Sequence, residues 1–167
     1  SNDNKSFKTH LRNTMVQIIK PTHEHTKDLA PRLRPDDVTE ITVASPELKL
    51  EEILNLCVES STDSYAVVDE TDGCVALFGV RDVDNDSGIP WFLSCDLFFS
   101  KYKRRFIKEG PEYLKKLFGN KKHLYNYVSK DNTVSQRWLQ SLGFTVYKQE
   151  IKFKDVTFYA FDKKEAT

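Results

Sequence analysis

Several things are scarce in this 167-residue chain, and each scarcity excludes a class. Cysteine occurs three times, as Cys57, Cys74 and Cys95, with no C-x-x-C pair and no His at metal-ligand spacing. That rules against a disulfide framework and a zinc knuckle, and it suits a reducing interior. No apolar run approaches the roughly 18 to 20 residues of a membrane-spanning helix, and the first residues lack the apolar centre of a signal peptide. The expectation is a chain that neither spans a membrane nor is exported. Net charge is missing too: 25 basic residues cancel 25 acidic ones. The chain as a whole has no electrostatic footprint for nucleic acid or an anionic membrane, so any basic function must be local.

What is present suits one soluble domain, with 39% hydrophobic and 30% charged residues. The first fourteen residues are polar apart from Phe7 and Leu11 and read as an arm. A domain is expected over residues 15–163 and a short tail over 164–167. MVQIIKP reads as a strand, and Thr22 as the cap of a helix that Pro31 ends or kinks. Pro35, Asp36 and Asp37 suit a first helical turn. Ser45 and Pro46 are expected to start a further helix with Leu50, Ile53, Leu54 and Cys57 on one face. Residues 64–70, 74–83 and 89–99 read as an antiparallel meander, turning at Asp72-Gly73 and at the acidic loop 82–88. A second long helix follows, with Tyr102, Phe106, Tyr113, Leu117 and Phe118, and then the strand HLYNYV. In the last helix Asn132 is the cap, Val134, Trp138 and Leu142 the buried stripe and Gly143 the left-handed end. Strands over 145–153 and 156–161 close the chain. The fold class is α/β (α+β), with a mixed, mostly antiparallel sheet and helices on both faces.

LAPRLRPDDVTEI, VALFGV, GIPWFLSCD and LYNYVSKDNTVSQRWLQSLGF, in this order, resemble the internal virion protein A family of short-tailed phages and prophages. That family looks like a divergent branch of the Gcn-five-related N-acetyltransferase (GNAT) fold. The resemblance spans about residues 15 to 163. It implies the GNAT fold and a role in assembling the virion or in early infection, with phage structural or host proteins as partners and the host cytoplasm, or the virion, as location.

Enzymes of the GNAT fold bind acetyl-CoA where two parallel strands splay, with the pyrophosphate at the start of the helix after the fourth strand. The general motif there is Q/R-x-x-G-x-G/A; this chain has KYKRRFIKEG. Gly110 is followed by Pro111 and lies too far along the helix to form the loop, which predicts weak acetyl-CoA binding or none. On the scaffold implied by the resemblance, a cofactor would meet Leu97, Phe98 and Asn132. Lys101, Lys103, Arg104 and Arg105 either hold its phosphates by side chain or form a solvated helix face.

Asp96, on the strand 89–99 between Leu93 and Leu97, is a candidate general base if partly desolvated, or a structural carboxylate if its partners satisfy it. Tyr127 and Tyr147 lie near the region where such enzymes place a general acid. The resemblance implies that Arg32, Arg34 and Asp37 fall at the acceptor side of the cleft, and Trp91 either fills core or contacts a partner. Asp82, Asp84 and Asp86 imitate a calcium loop but lack its glycine and terminal glutamate, and His23 and His25 do not share a helix face, so no metal is expected. The leading expectation is a virion assembly or host-interaction factor. The alternative is an acetyl-CoA-dependent N-acetyltransferase using Asp96 or a bound water as base. A nucleic-acid-binding module is disfavoured by the neutral net charge.

Overall fold

The computed structural model describes residues 16–165; the arm assigned to residues 1–14, Met15 and the last two residues of the tail lie outside that range. Strand β1 (Val16–Ile19) leads to α1 (His23–Leu29), a 3-10 turn at Ala30–Arg32, α2 (Pro35–Ala44) and α3 (Leu50–Ser60). The meander is β2 (Asp63–Asp69), β3 (Gly73–Asp82) and β4 (Ser87–Ser94). After a π-helical turn at Phe98–Tyr102 come α4 (Lys103–Phe118), β5 (His123–Ser129) and α5 (Thr133–Ser141). Strands β6 (Thr145–Val146), β7 (Ile151–Phe153) and β8 (Val156–Lys164) end the described chain.

One eight-stranded sheet runs β1-β2-β3-β4-β5-β8-β6, with β7 also paired to β8. Every pairing is antiparallel except β4 with β5. That parallel contact is a stub: Ser87 faces His123 and Gly88 faces Leu124, and beyond them the two strands carry no further ladder. They share one sheet and diverge toward their C-terminal ends, as the GNAT reading requires.

Alternation along the strands divides the core into two layers. Tyr65, Phe78 and Phe92 stand in register across β2, β3 and β4, and they meet Tyr113 of α4 and Trp138 of α5. Trp91 points the other way and donates from Nε1 to Ser61 Oγ at the end of α3 (2.7 Å). The turn between β2 and β3 is closed by Asp69, whose Oδ2 accepts from the amides of Thr71 and Asp72, with Gly73 at φ 71°. At the end of α5, Gly143 has φ 93°, the left-handed value expected there.

Four local expectations are corrected. Strand β4 stops at Ser94 rather than Phe99, because helical geometry already begins at Asp96. Ser45 ends α2 instead of starting α3; its carbonyl accepts from Leu48 N in a turn, and α3 begins at Leu50. The run 145–153 is broken into β6 and β7 by irregular residues 147–150. Val134 is 37% exposed rather than buried, while Trp138 of the same stripe is in the core.

Candidate functional site

Beyond their two paired residues, β4 and β5 leave an opening in the sheet. Residues 90, 92 and 94 turn their backbone groups toward it, because 91 and 93 face β3 in the antiparallel ladder. Such an edge normally offers a row of free N–H and C=O groups. Here most are taken. Pro90 has no N–H, and its carbonyl accepts from Asn126 Nδ2 of β5 (2.8 Å). Ser94 N donates to Asp37 Oδ2 (3.0 Å), and Ser94 O accepts from Arg34 N (3.0 Å). Leu33 also forms a bridge to Cys95. Among the described residues only Phe92 keeps both backbone groups free toward the opening.

Arg34, just before α2, and Asp37 and Glu40 within it sit three residues apart, and together they close the splayed end. Arg34 Nη1 donates to Asp37 Oδ1 (3.3 Å) and Ser135 Oγ (3.0 Å), and Nη2 to Asn132 Oδ1 (2.9 Å). Its guanidinium lies 4.8 Å from the centre of the Phe99 ring. Glu40 Oε1 accepts from Ser129 N (2.8 Å) and Asn132 Nδ2 (2.9 Å). Asn132 meanwhile caps α5, accepting from Ser135 N (3.2 Å). One connected set of polar groups therefore ties α2 to the ends of β4 and β5 and to the start of α5. Burial pushes the Asp37 carboxyl up to about 6 despite the opposing Arg34 charge. It pushes Glu40 up to about 7 against the bonds from Asn132 and Ser129.

A cavity of about 490 Å³ adjoins this set, walled by Trp91, Trp138, Phe153 and Phe158 with Glu40 and Asn126 at its edge. Its size is that of a small-ligand site.

The predicted site residues divide. Arg34, Asp37 and Asn132 are brought together, but as the buried partners of one another rather than as groups open to a cofactor or substrate. Asp96 is corrected: it lies exposed in the first helical turn after β4, not partly desolvated on a strand, because the chain turns into a helix two residues after β4 ends. Leu97 is 39% exposed beside it, and Phe98 is fully buried against Phe92, Phe106 and Trp138. Lys101 pairs with Asp72 (2.7 Å) and Arg105 with Glu109 (3.2 Å), while Lys103 is half-buried and Arg104 exposed. Arg32 Nη2 donates to Cys74 O (2.8 Å) and pairs with Asp28 (3.2 Å), away from Arg34's set. Tyr127 is half exposed and lines the cavity, as does Trp91. Tyr147 donates to Asp162 (2.7 Å). Among the described residues no group of His, Cys, Asp or Glu could hold a metal ion. Sequence reasoning missed Glu40, Ser94, Ser129 and Ser135; the spacing of Arg34, Asp37 and Glu40 along one helix was the available signal.

A pyrophosphate fits this helix start poorly. No glycine loop separates β4 from the helix, and the exposed Asp96 stands in the first helical turn, where its negative charge opposes a second anion. Replacing Asp96 with Asn is expected to cost at most about 1 kcal/mol in a thermal melt, the size of an exposed helix-end charge effect.

The splayed pair, the mixed sheet and the element order define a GNAT fold. Three solved structures match over nearly their whole length. An acetyltransferase of the GNAT family from Bacillus anthracis is 12% identical, with 90% of this chain and 95% of that one covered and a TM-score of 0.65. A GCN5-related N-acetyltransferase from Kribbella flavida is 14% identical, with 92% and 99% covered and a TM-score of 0.63. Spermidine N-acetyltransferase from Vibrio cholerae, solved in complex with CoA and spermine, is 12% identical, with 90% and 96% covered and a TM-score of 0.61. At these identities the likeness is one of fold. In sequence, residues 73–152 match the family described as Bacteriophage T7, probable scaffold protein Gp13. No curated protein matches the chain in sequence.

Proposed function

We propose that this chain is a phage virion-assembly protein that uses the GNAT fold as a binding scaffold instead of as a catalyst. One observation carries the reading: Arg34 and Asp37 occupy the backbone groups of Ser94 at the strand edge where the fold family receives acetyl-CoA. The similarity of residues 73–152 to a phage scaffold-protein family supports the assembly role, and phage structural or host proteins are the corresponding partners. In calorimetry, acetyl-CoA should bind no tighter than about 100 μM, equivalent to roughly 5.5 kcal/mol. A low-micromolar constant that salt does not weaken would overturn the reading.

A second reading, an N-acetyltransferase acting on an amine, is favoured by the cavity with Glu40 on its wall. A carboxyl pushed up to about 7 is suited to take a proton near neutral pH. This reading moves the base from Asp96 to Glu40. Complementation separates the two: Glu40→Gln should rescue assembly of a phage lacking this gene product if the chain is a scaffold. If it is an enzyme, the same variant should lose about 100-fold or more in acetylation rate.

A further inference from the structure

The neutral net charge averages over a segregated chain. Residues 101–122 carry nine Lys and Arg against two acids, Glu109 and Glu112, a net of seven positive charges; the remaining 145 residues therefore sum to seven negative ones. Most of the positive segment is α4, whose other face is committed to the core through Phe106, Gly110, Leu114, Leu117 and Phe118.

Not every cation in the segment is available. Lys101 is held by Asp72, Arg105 by Glu109 and Lys121 by Asp82, and Lys116 lies over the Tyr113 ring. Arg104, Lys108 and Lys115 differ: all three are exposed, and none of their side chains makes a hydrogen bond or ion pair among the described residues. Their spacing of four and seven residues keeps them on one helix face, within a line of roughly 16 Å at 1.5 Å per residue. The exposed Lys122 follows just past the helix end.

We infer that the outward face of α4 binds the phosphate backbone of nucleic acid, through Arg104, Lys108 and Lys115. A duplex offers one negative charge per roughly 1.7 Å of axis, so such a line meets several phosphates at once. The composition of the face favours phosphate over an acidic protein surface. Protein interfaces rest on buried aromatic and aliphatic anchors, and along α4 the only large apolar side chain counted as exposed among the described residues is Ile107, at 39%. The contact is independent of base sequence, because a contact to phosphate carries no base information. It goes beyond the scaffold reading and does not depend on whether the slot between β4 and β5 is closed.

The test is fluorescence anisotropy with a labelled duplex of about 20 base pairs at rising salt. The logarithm of the association constant should fall with the logarithm of salt at a slope of about −3, near −0.9 for each of three phosphates. The triple variant R104E/K108E/K115E should bind at least about 10-fold more weakly at low salt, with circular dichroism reporting an unchanged fold. Lys49→Glu, an exposed cation off this face, should bind like the parent. Parent-like binding by the triple variant, a slope near zero, or polyglutamate competing as well as DNA would each overturn the assignment.

Discussion

Replacing Arg34 with Ala should destabilise the protein by about 3 to 5 kcal/mol at pH 8, the usual cost of removing one partner from a buried ion pair. For a chain of this size that is a fall in Tm of roughly 10 °C. The loss is large because one guanidinium serves three acceptors, on Asp37, Asn132 and Ser135, and is only 4% exposed. Its removal leaves Asp37 with a charge that burial already disfavours, beside Asp36 and Glu40. The cost should therefore shrink at pH 5, where both raised carboxyls take up protons. Arg34→Lys should recover little, since an ammonium cannot reproduce the planar fork. Denaturant unfolding at the two pH values measures the difference; equal losses at pH 5 and pH 8 would mean that Asp37 is not the group left uncompensated.

The second large effect is the dependence of stability on pH. The carboxyls of Asp37 and Glu40 are raised in the folded protein, from 3.8 to about 6 and from 4.5 to about 7, with burial as the main cause in both. A raised acid binds its proton more tightly when folded than when unfolded. Its favourable contribution is thus complete below the unfolded value and is lost as pH rises through the folded one. Stability should fall between about pH 5 and pH 7.5, by roughly 2 to 3 kcal/mol for Glu40 alone. Glu40→Gln tests the assignment cleanly. The amide oxygen can still accept from Ser129 N and Asn132 Nδ2, while the titrating proton is gone. The variant should be more stable than the parent at pH 8 and show a shallower slope. A parent-like slope would place the titration elsewhere.

Much of the scaffold was legible because its signals are local. Asn132 before TVSQRWLQSL, Gly143 after it, and Asp72-Gly73 between two apolar runs each demand one backbone conformation, and each is found where expected. The boundary of β4 was not legible. Residues 89–99 are continuously apolar apart from Ser94 and Asp96, and such a run cannot say where strand becomes helix. The break is decided by packing: Phe98, Phe99 and Phe106 gather around Phe92 and Trp138, which requires the chain to coil at once after Ser94. That one boundary moved Asp96 from a desolvated strand site to an exposed helix start.

By itself the sequence determined the class of fold, the order of nearly every helix and strand, the absence of a glycine loop after β4 and the clustering of cations on α4. Each of these is a property of neighbours along the chain. Only the tertiary structure decided what closes the splay. Arg34 and Asn132 are 98 residues apart, and Asp37 and Ser94 are 57. No period or motif links positions so distant; they meet because β4 and β5 separate after two paired residues and leave buried backbone groups that must find partners. The start of α2 supplies those partners, through Arg34 and Asp37 to Ser94, and so ties the end of β4 to the start of α5.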